Sequence, residues 1–311
     1  MATGLRSVDH QPSPAINPMK KRRFKQGTLS PYFFMLPAFI VVMIMLVYPV
    51  LRTLYLSFTD AEGLAPISFI GIDNYVKLTN DPVIARTMIN VALWTISSFL
   101  LPILIGLFIA VTLSGLKYSS IYRTIFLLPY VFSGVAIGSL YINIWETKGI
   151  VNQTLTSLGF EQLTRSWLLE WPHNTFAMII ATTWGITGLA MVLYTVGLQN
   201  IPQSTVEAGT LDGAGPWRLF RSIIWPQLAY INAVVIGTTL ANSLRTFDVV
   251  WTMTQGGPAR SSETLAVTMY RETFLINRPG YGSTIAVLLT ILVLTVSVLA
   301  LRRSFKAEKA R

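Results

Sequence analysis

The chain has 311 residues, a mean hydropathy of +0.54 and only 12% charged residues, about half the ~25% usual in soluble domains; this excludes an ordinary water-soluble globule and points to a membrane. It has no cysteine, which excludes a disulfide framework and thiolate metal sites. The net charge of +10 does not make a nucleic-acid partner, because the basic residues gather at the two ends beside apolar runs rather than on a folded basic domain.

Residues 1–30 are polar, with Pro12, Pro14 and Pro18 and a basic cluster of Lys20, Lys21, Arg22, Arg23 and Lys25. They read as a disordered cytoplasmic tail. A secretory signal peptide does not fit, because the next apolar run is too long and no small-x-small cleavage site follows it. Six stretches then reach the ~20 apolar residues that a spanning helix needs: 32–51, 89–113, 125–145, 175–198, 228–247 and 283–301. Backbone in hydrocarbon must satisfy its own hydrogen bonds. Residues 31–305 are therefore expected to form one all-α, polytopic membrane domain of six transmembrane helices, followed by a short cytoplasmic tail at 306–311. Gly134-x-x-x-Gly138 in the third helix reads as a close-packing site. The fifth stretch is the most polar, with Asn232, Thr238, Thr239, Asn242, Ser243, Arg245 and Thr246.

Orientation follows from basic residues staying on the cytoplasmic side. With both termini cytoplasmic, that side holds fifteen of the 24 Lys and Arg but only four of the 14 acidic residues. The loops 52–88, 146–174 and 249–282 then face outward, with Trp145, Trp171, Trp251 and Tyr281 at their membrane ends as an interfacial belt.

Familiar chemistry is missing. There is no GxxxxGK[ST], GxSxG or HExxH. His10 and His173 fall on opposite sides of the membrane, so no metal site is expected. The spans lack the carboxylates that proton-coupled carriers hold at membrane depth. The nearest acid, Asp248, is expected either to pair locally with Arg245 or to serve a gate. Energy for any transport must then come from another chain.

One inward loop is unusual: EAGTLDGAGPWRLFRSIIWP, from Glu207 to Pro226. Pro202 suits the first turn of a short helix. Residues 203–211 can form about two turns, Asp212-Gly213 supplies a stop with Gly213 free to take positive φ, and Gly215-Pro216 starts a second helix. Two helical turns are not stable alone, so a neighbour must pack on them.

These residues resemble the cytoplasmic signature of the membrane subunits of ATP-binding-cassette importers: Glu-Ala-Ala, three residues, Gly, nine residues, Ile, one residue, Leu-Pro. Here it stands as Glu207-Ala208-Gly209, Gly213, Ile223 and Trp225-Pro226, with Gly209 in place of the second Ala and Trp225 in place of Leu. Gly209 is expected to loosen the helix by ~1 kcal/mol relative to Ala. FIGIDNY, LLPYVFSG, DGAGPWRLF and TQGGPARSSETL look like the sugar-importing branch, similar to maltose and glycerol-phosphate permeases, over roughly residues 30 to 305.

The resemblance implies a subunit of a bacterial or archaeal plasma-membrane importer and not an enzyme. It implies a heterodimer with a second, similar permease, a cytoplasmic ATPase dimer that holds ATP and magnesium, an extracytoplasmic solute-binding protein, and no cofactor in this chain. Contact with the ATPase would fall on Glu207, Ala208, Gly209, Asp212 and Gly213, within a coupling loop at about 199–222. The family's sugar-contacting positions fall on Tyr130, Thr182, Thr183, Thr239, Ser243 and Thr246. Asn242 joins them because it shares a helical face with Thr239, Ser243 and Thr246. Trp184 offers a stacking platform or is simply a packed aromatic. Hydroxyls in membrane helices also serve as interhelical glue, so each of these side chains has a packing alternative. The competing functions are a peptide or amino-acid permease of another importer branch, a stand-alone carrier or channel, and a membrane enzyme. The last two would need intramembrane charge or a catalytic cluster, and the sequence offers neither.

Overall fold

The computed structural model describes residues 30–309. Apart from Ser30, the expected N-terminal tail lies outside the described residues, as do residues 310 and 311. The chain divides into two units, with the boundary between Pro49 and Val50. The first contains α1 (Ser30–Val42), a π-helical turn (Met43–Val47) and the start of α2 (Tyr48–Leu56). The apolar stretch from Phe33 to Leu56, 24 residues, runs across that boundary.

The second unit is built from helices joined by loops. After α3 (Asp73–Asn80) comes α4 (Pro82–Leu113), 32 residues and so about 48 Å long. Its start is written in the sequence: Asp81 Oδ1 accepts the Val83 N–H at 2.8 Å and Pro82 takes the first helical position. There follow α5 (Ser119–Val131), α6 (Gly134–Trp145), α7 (Ile150–Ser157), α8 (His173–Gln199), α9 (Gln203–Leu211), α10 (Pro216–Leu219), a π-helical turn (Phe220–Ile224), α11 (Trp225–Gln227), α12 (Ala229–Leu244), α13 (Asp248–Thr254), α14 (Leu265–Tyr270), and α15 (Pro279–Lys309). Residues 306–309, expected as a tail, continue the last helix. Among the described residues the only extended pairing is a single bridge between Thr59 and Phe69.

α8 is the centre of the packing. It lies along α4 and α5, and α12 lies between α4 and α15. Close approach rests on small residues. A Cβ on Gly188 would collide with Phe126 O and sit 2.8 Å from Leu127 Cα, so α8 meets the backbone of α5 directly. Gly106 of α4 does the same to α8, where a Cβ would lie 2.9 Å from Met191 N. One buried cluster joins Trp94, Met178, Ile179 and Val250; a second joins Leu107, Met191, Tyr194 and Leu228.

Among the described residues four helices are long and apolar enough to cross a membrane, or up to six if each of two bent pairs is one span. The first bend corrects the sequence expectation of a continuous helix at 125–145; the second falls at the start of the expected stretch 228–247, ahead of α12. The first breaks at Phe132 and Ser133, and its two parts meet at 95°. Pro129 has no N–H to extend the helix, Phe132 and Ser133 are extended, and Ser133 Oγ accepts the Ala136 N–H at 3.2 Å, starting α6 afresh. In the second, the segment from Pro216 to Gln227 meets α12 at 71°, just after Pro226, and the helix stops at Leu244 rather than reaching Phe247.

Gly188→Leu should separate α8 from α5 and lower the thermal stability of the purified protein, in the range of about 1–3 kcal/mol typical of overpacking. Gly115→Leu, at a position facing open space, should leave it unchanged.

Candidate functional site

The Glu207 loop folds as a seated helix. α9 occupies Gln203–Leu211 with Pro202 before it, as the spacing required. Gly213 takes φ +75°. Its N–H bonds Thr210 O at 3.1 Å, and the Ala214 N–H bonds Gly209 O at 3.0 Å, the paired closure of a left-handed helix stop. Glu207, Ala208 and Asp212 are exposed, and Glu207 Oε1 accepts from Gln203 Nε2 at 2.7 Å along the helix. Leu211 is 88% exposed.

Gly209 is the buried residue of α9. A Cβ there would collide with Ile223 Cδ1 and lie 3.1 Å from Leu219 Cδ1. The missing methyl group therefore lets α9 sit down on residues 216–227, the re-entry segment that leads into α12. Helix propensity alone gives Gly209 only a loosening effect; its packing role becomes visible once Ile223 is placed beneath it.

Further along, the break between α5 and α6 meets the break between α12 and α13. A Cβ on Gly134 would lie 2.8 Å from Asp248 Cβ, and one on Gly138 would lie 3.0 Å from Thr252 Cβ, so the Gly-x-x-x-Gly stripe packs α6 onto α13. Beside this crossing opens a cleft of about 450 Å³, whose polar lining is Tyr130, Thr182, Asn242, Arg245, Thr246 and Asp248. Phe132 and Phe247 add flat apolar faces. Thr182 Oγ1 donates to Met178 O at 2.7 Å and Thr246 Oγ1 to Asn242 O at 3.2 Å. Both hydroxyls keep lone pairs to accept from a ligand. Arg245 turns back on its own helix, with Nε on Ala241 O at 3.1 Å and Nη2 on Asn242 Oδ1 at 3.4 Å. No ion pair joins it to Asp248, contrary to one of the two expectations; the pair instead offers the cleft one cation and one carboxylate.

Four of the eight expected pathway residues are thus brought together: Tyr130, Thr182, Asn242 and Thr246. The other four lie elsewhere. Thr239 and Ser243 are buried, with their hydroxyls donated to Val235 O and Leu240 O at 2.8 Å each. Thr183 and Trp184 line a separate apolar hollow with Phe126 and Tyr141, where the rings of Trp184 and Tyr141 stand 5.8 Å apart.

The loop after α13 holds a buried charge cluster that the sequence did not disclose. Glu263 is 0% exposed. Arg260 donates from Nε and Nη2 to its two carboxylate oxygens at 3.0 Å each, and from Nη1 to Glu272 at 2.9 Å. Arg271 Nε adds a third donor at 2.6 Å and Thr268 a fourth at 2.8 Å. Burial pulls the Arg260 guanidinium toward neutrality, but the hydrogen bonds and charges of Glu263 and Glu272 outweigh it and hold Arg260 above its ordinary pKa. Asn90 of α4 ties the loop down through Ser261 O at 2.7 Å and Glu263 O at 3.0 Å, and is itself held by Trp171 Nε1 at 2.9 Å. The one available sign was four charged residues in a short stretch between apolar helices: Arg260, Glu263, Arg271 and Glu272.

Residues 102–309 match the family described as binding-protein-dependent transport system inner membrane component. A probable ABC transporter permease of Pyrococcus horikoshii is 33% identical over 279 residues, spanning 89% of this chain and 96% of its own. The lactose transport system permease LacF of Rhizobium radiobacter is 32% identical over 285 residues, 90% and 94%. Among solved structures, a bacterial ABC transporter that imports the acidic polysaccharide alginate superimposes with a TM-score of 0.77 at 20% identity, covering 89% of this chain and 95% of the other.

Replacing Glu263 by Gln should leave the half-buried Arg260 and Arg271 short of a charged partner and destabilise the protein by about 1–3 kcal/mol. Thermal unfolding of the purified chain measures it.

Proposed function

From the premise that this chain belongs to the family of inner-membrane components of binding-protein-dependent transport systems, we propose that it forms half of the translocation path of an ATP-driven sugar importer. It is a transport subunit and not an enzyme. Each bent helix pair counts as one span in this reading, giving six. Both termini and the α9 loop then face the cytoplasm, because the basic residues concentrate there. The membrane is the inner membrane of a bacterium or archaeon.

The cleft is the observation that carries the sugar reading. A sugar presents hydroxyls that both donate and accept, beside flat apolar faces. The cleft answers with a carboxylate, a guanidinium, an amide and hydroxyls next to aromatic rings. The lactose permease relative supports the same cargo class. Thr239, Ser243, Thr183 and Trp184 contribute to the path through packing in this state and would need a helix movement to meet cargo.

The rest of the machine lies in other chains. A second, similar permease supplies the other half of the path, and a solute-binding protein delivers cargo at the outer face. A cytoplasmic ATPase dimer binds ATP and magnesium and grips α9, with Glu207, Ala208, Asp212 and Gly213 at or near the contact and Gly209 beneath it. Closure of the ATPases would push α9; because Gly209 rests on Ile223 and Leu219, the push passes into the re-entry segment and α12, which borders the cleft. This is rigid-body movement passed through a packed element.

Glu207→Lys should abolish sugar-stimulated ATP hydrolysis and uptake by the assembled importer while membrane insertion stays intact; unchanged hydrolysis and uptake would refute the assignment of α9. A reporter fused at Asn152 should read as extracytoplasmic.

A further inference from the structure

The re-entry segment has two sides. Leu219 and Ile223 carry Gly209 of α9. Trp217, Phe220 and Trp225 wall a hollow of about 690 Å³ against Leu104 and Phe108 near the end of α4. The three rings form a row, with centroids 5.9 Å apart from Trp217 to Phe220 and 6.2 Å from Phe220 to Trp225. The lining is apolar except for Arg221. Arg221 is exposed, and no carboxylate pairs with it among the described residues.

A long apolar trough beside an unpaired cation is complementary to one kind of molecule above others. Tryptophan concentrates at the headgroup level of a bilayer, and Trp217, 70% exposed, stands beside Arg221 where the chain enters the membrane. A long chain of methylene groups gains by filling an apolar surface, and a phosphate gains by meeting a guanidinium. We propose that this hollow is a site for an anionic phospholipid of the leaflet on the α9 side, with an acyl chain lying against Phe108 and Phe220 and the phosphate on Arg221. The lipid would brace the segment on which α9 sits, so anionic lipid would strengthen coupling. Only that consequence rests on α9 as the ATPase contact; the site itself does not.

The test is native mass spectrometry of the assembled complex, taken from vesicles of phosphatidylglycerol mixed with phosphatidylcholine, without nucleotide. Wild type should retain phosphatidylglycerol in preference to phosphatidylcholine. Arg221→Gln should lower retained phosphatidylglycerol about fivefold, since one basic residue near a membrane surface contributes on the order of 1 kcal/mol. Leu104→Trp fills the trough with the charge intact and should lower retention of both lipids. Undiminished phosphatidylglycerol on both variants would overturn the site. So would high-yield cross-linking of Phe108→Cys, the only cysteine in such a chain, to a neighbouring subunit, because a protein segment would then fill the hollow. Retention is read without ATP, so a failed α9 assignment leaves this result untouched and a failed lipid site leaves that assignment standing.

Discussion

Irregular backbone has nowhere to find hydrogen bonds in hydrocarbon, so a chain that breaks its helices at membrane depth must put the breaks against protein or around a polar cavity. Here the break between α5 and α6 meets the break between α12 and α13. α6 restarts at Gly134 under a serine cap, α13 starts at Asp248, and the two ends touch because Gly134 has no side chain. The cleft is what remains beside the contact. Its polar lining therefore owes as much to where the helices stop as to which residues they carry.

The same economy of side chains works at the other end of the chain's path. α9 is two turns long and would not persist alone. It is held by its closure at Gly213 and by burying Gly209 on Ile223 and Leu219. A larger residue at 209 would lift the helix off Ile223 and Leu219. At the far side, the buried Glu263 cluster fixes the loop after α13 to α4 through Asn90. The loop after α13 and the short helix α9 are thus each held by contacts outside themselves.

Much of this was legible in the sequence because it is local. The short helix, its glycine stop, the proline start and the close-packing glycines all follow from a few neighbouring residues. Hydropathy located the apolar stretches but could not see that the third bends at Phe132 or that the fifth stops short of Phe247, since Phe132 and Phe247 are as apolar as any helical residue. Motif counting placed six residues on the path, to which the helical face added Asn242 and stacking added Trp184. It could not tell that α8 turns Thr182 to the cleft and Thr183 away from it, because adjacent helical residues point about 100° apart and only packing decides which one faces the cavity. The Glu263 cluster was hidden for a related reason: charges in a polar loop read as solvated until the fold buries them.

The most direct measurement uses the absence of native cysteine. Asn242→Cys, Thr182→Cys and Thr239→Cys would be placed one at a time in the assembled importer and exposed to a membrane-impermeant thiol reagent from each side, with and without ATP. Cleft residues at the heart of an alternating path should label at 242 and 182, from a side that switches with nucleotide, while 239 stays protected in the state described here. If 242 and 182 resist the reagent from both sides in every nucleotide state, the meeting of the two helix breaks is not the route of the cargo.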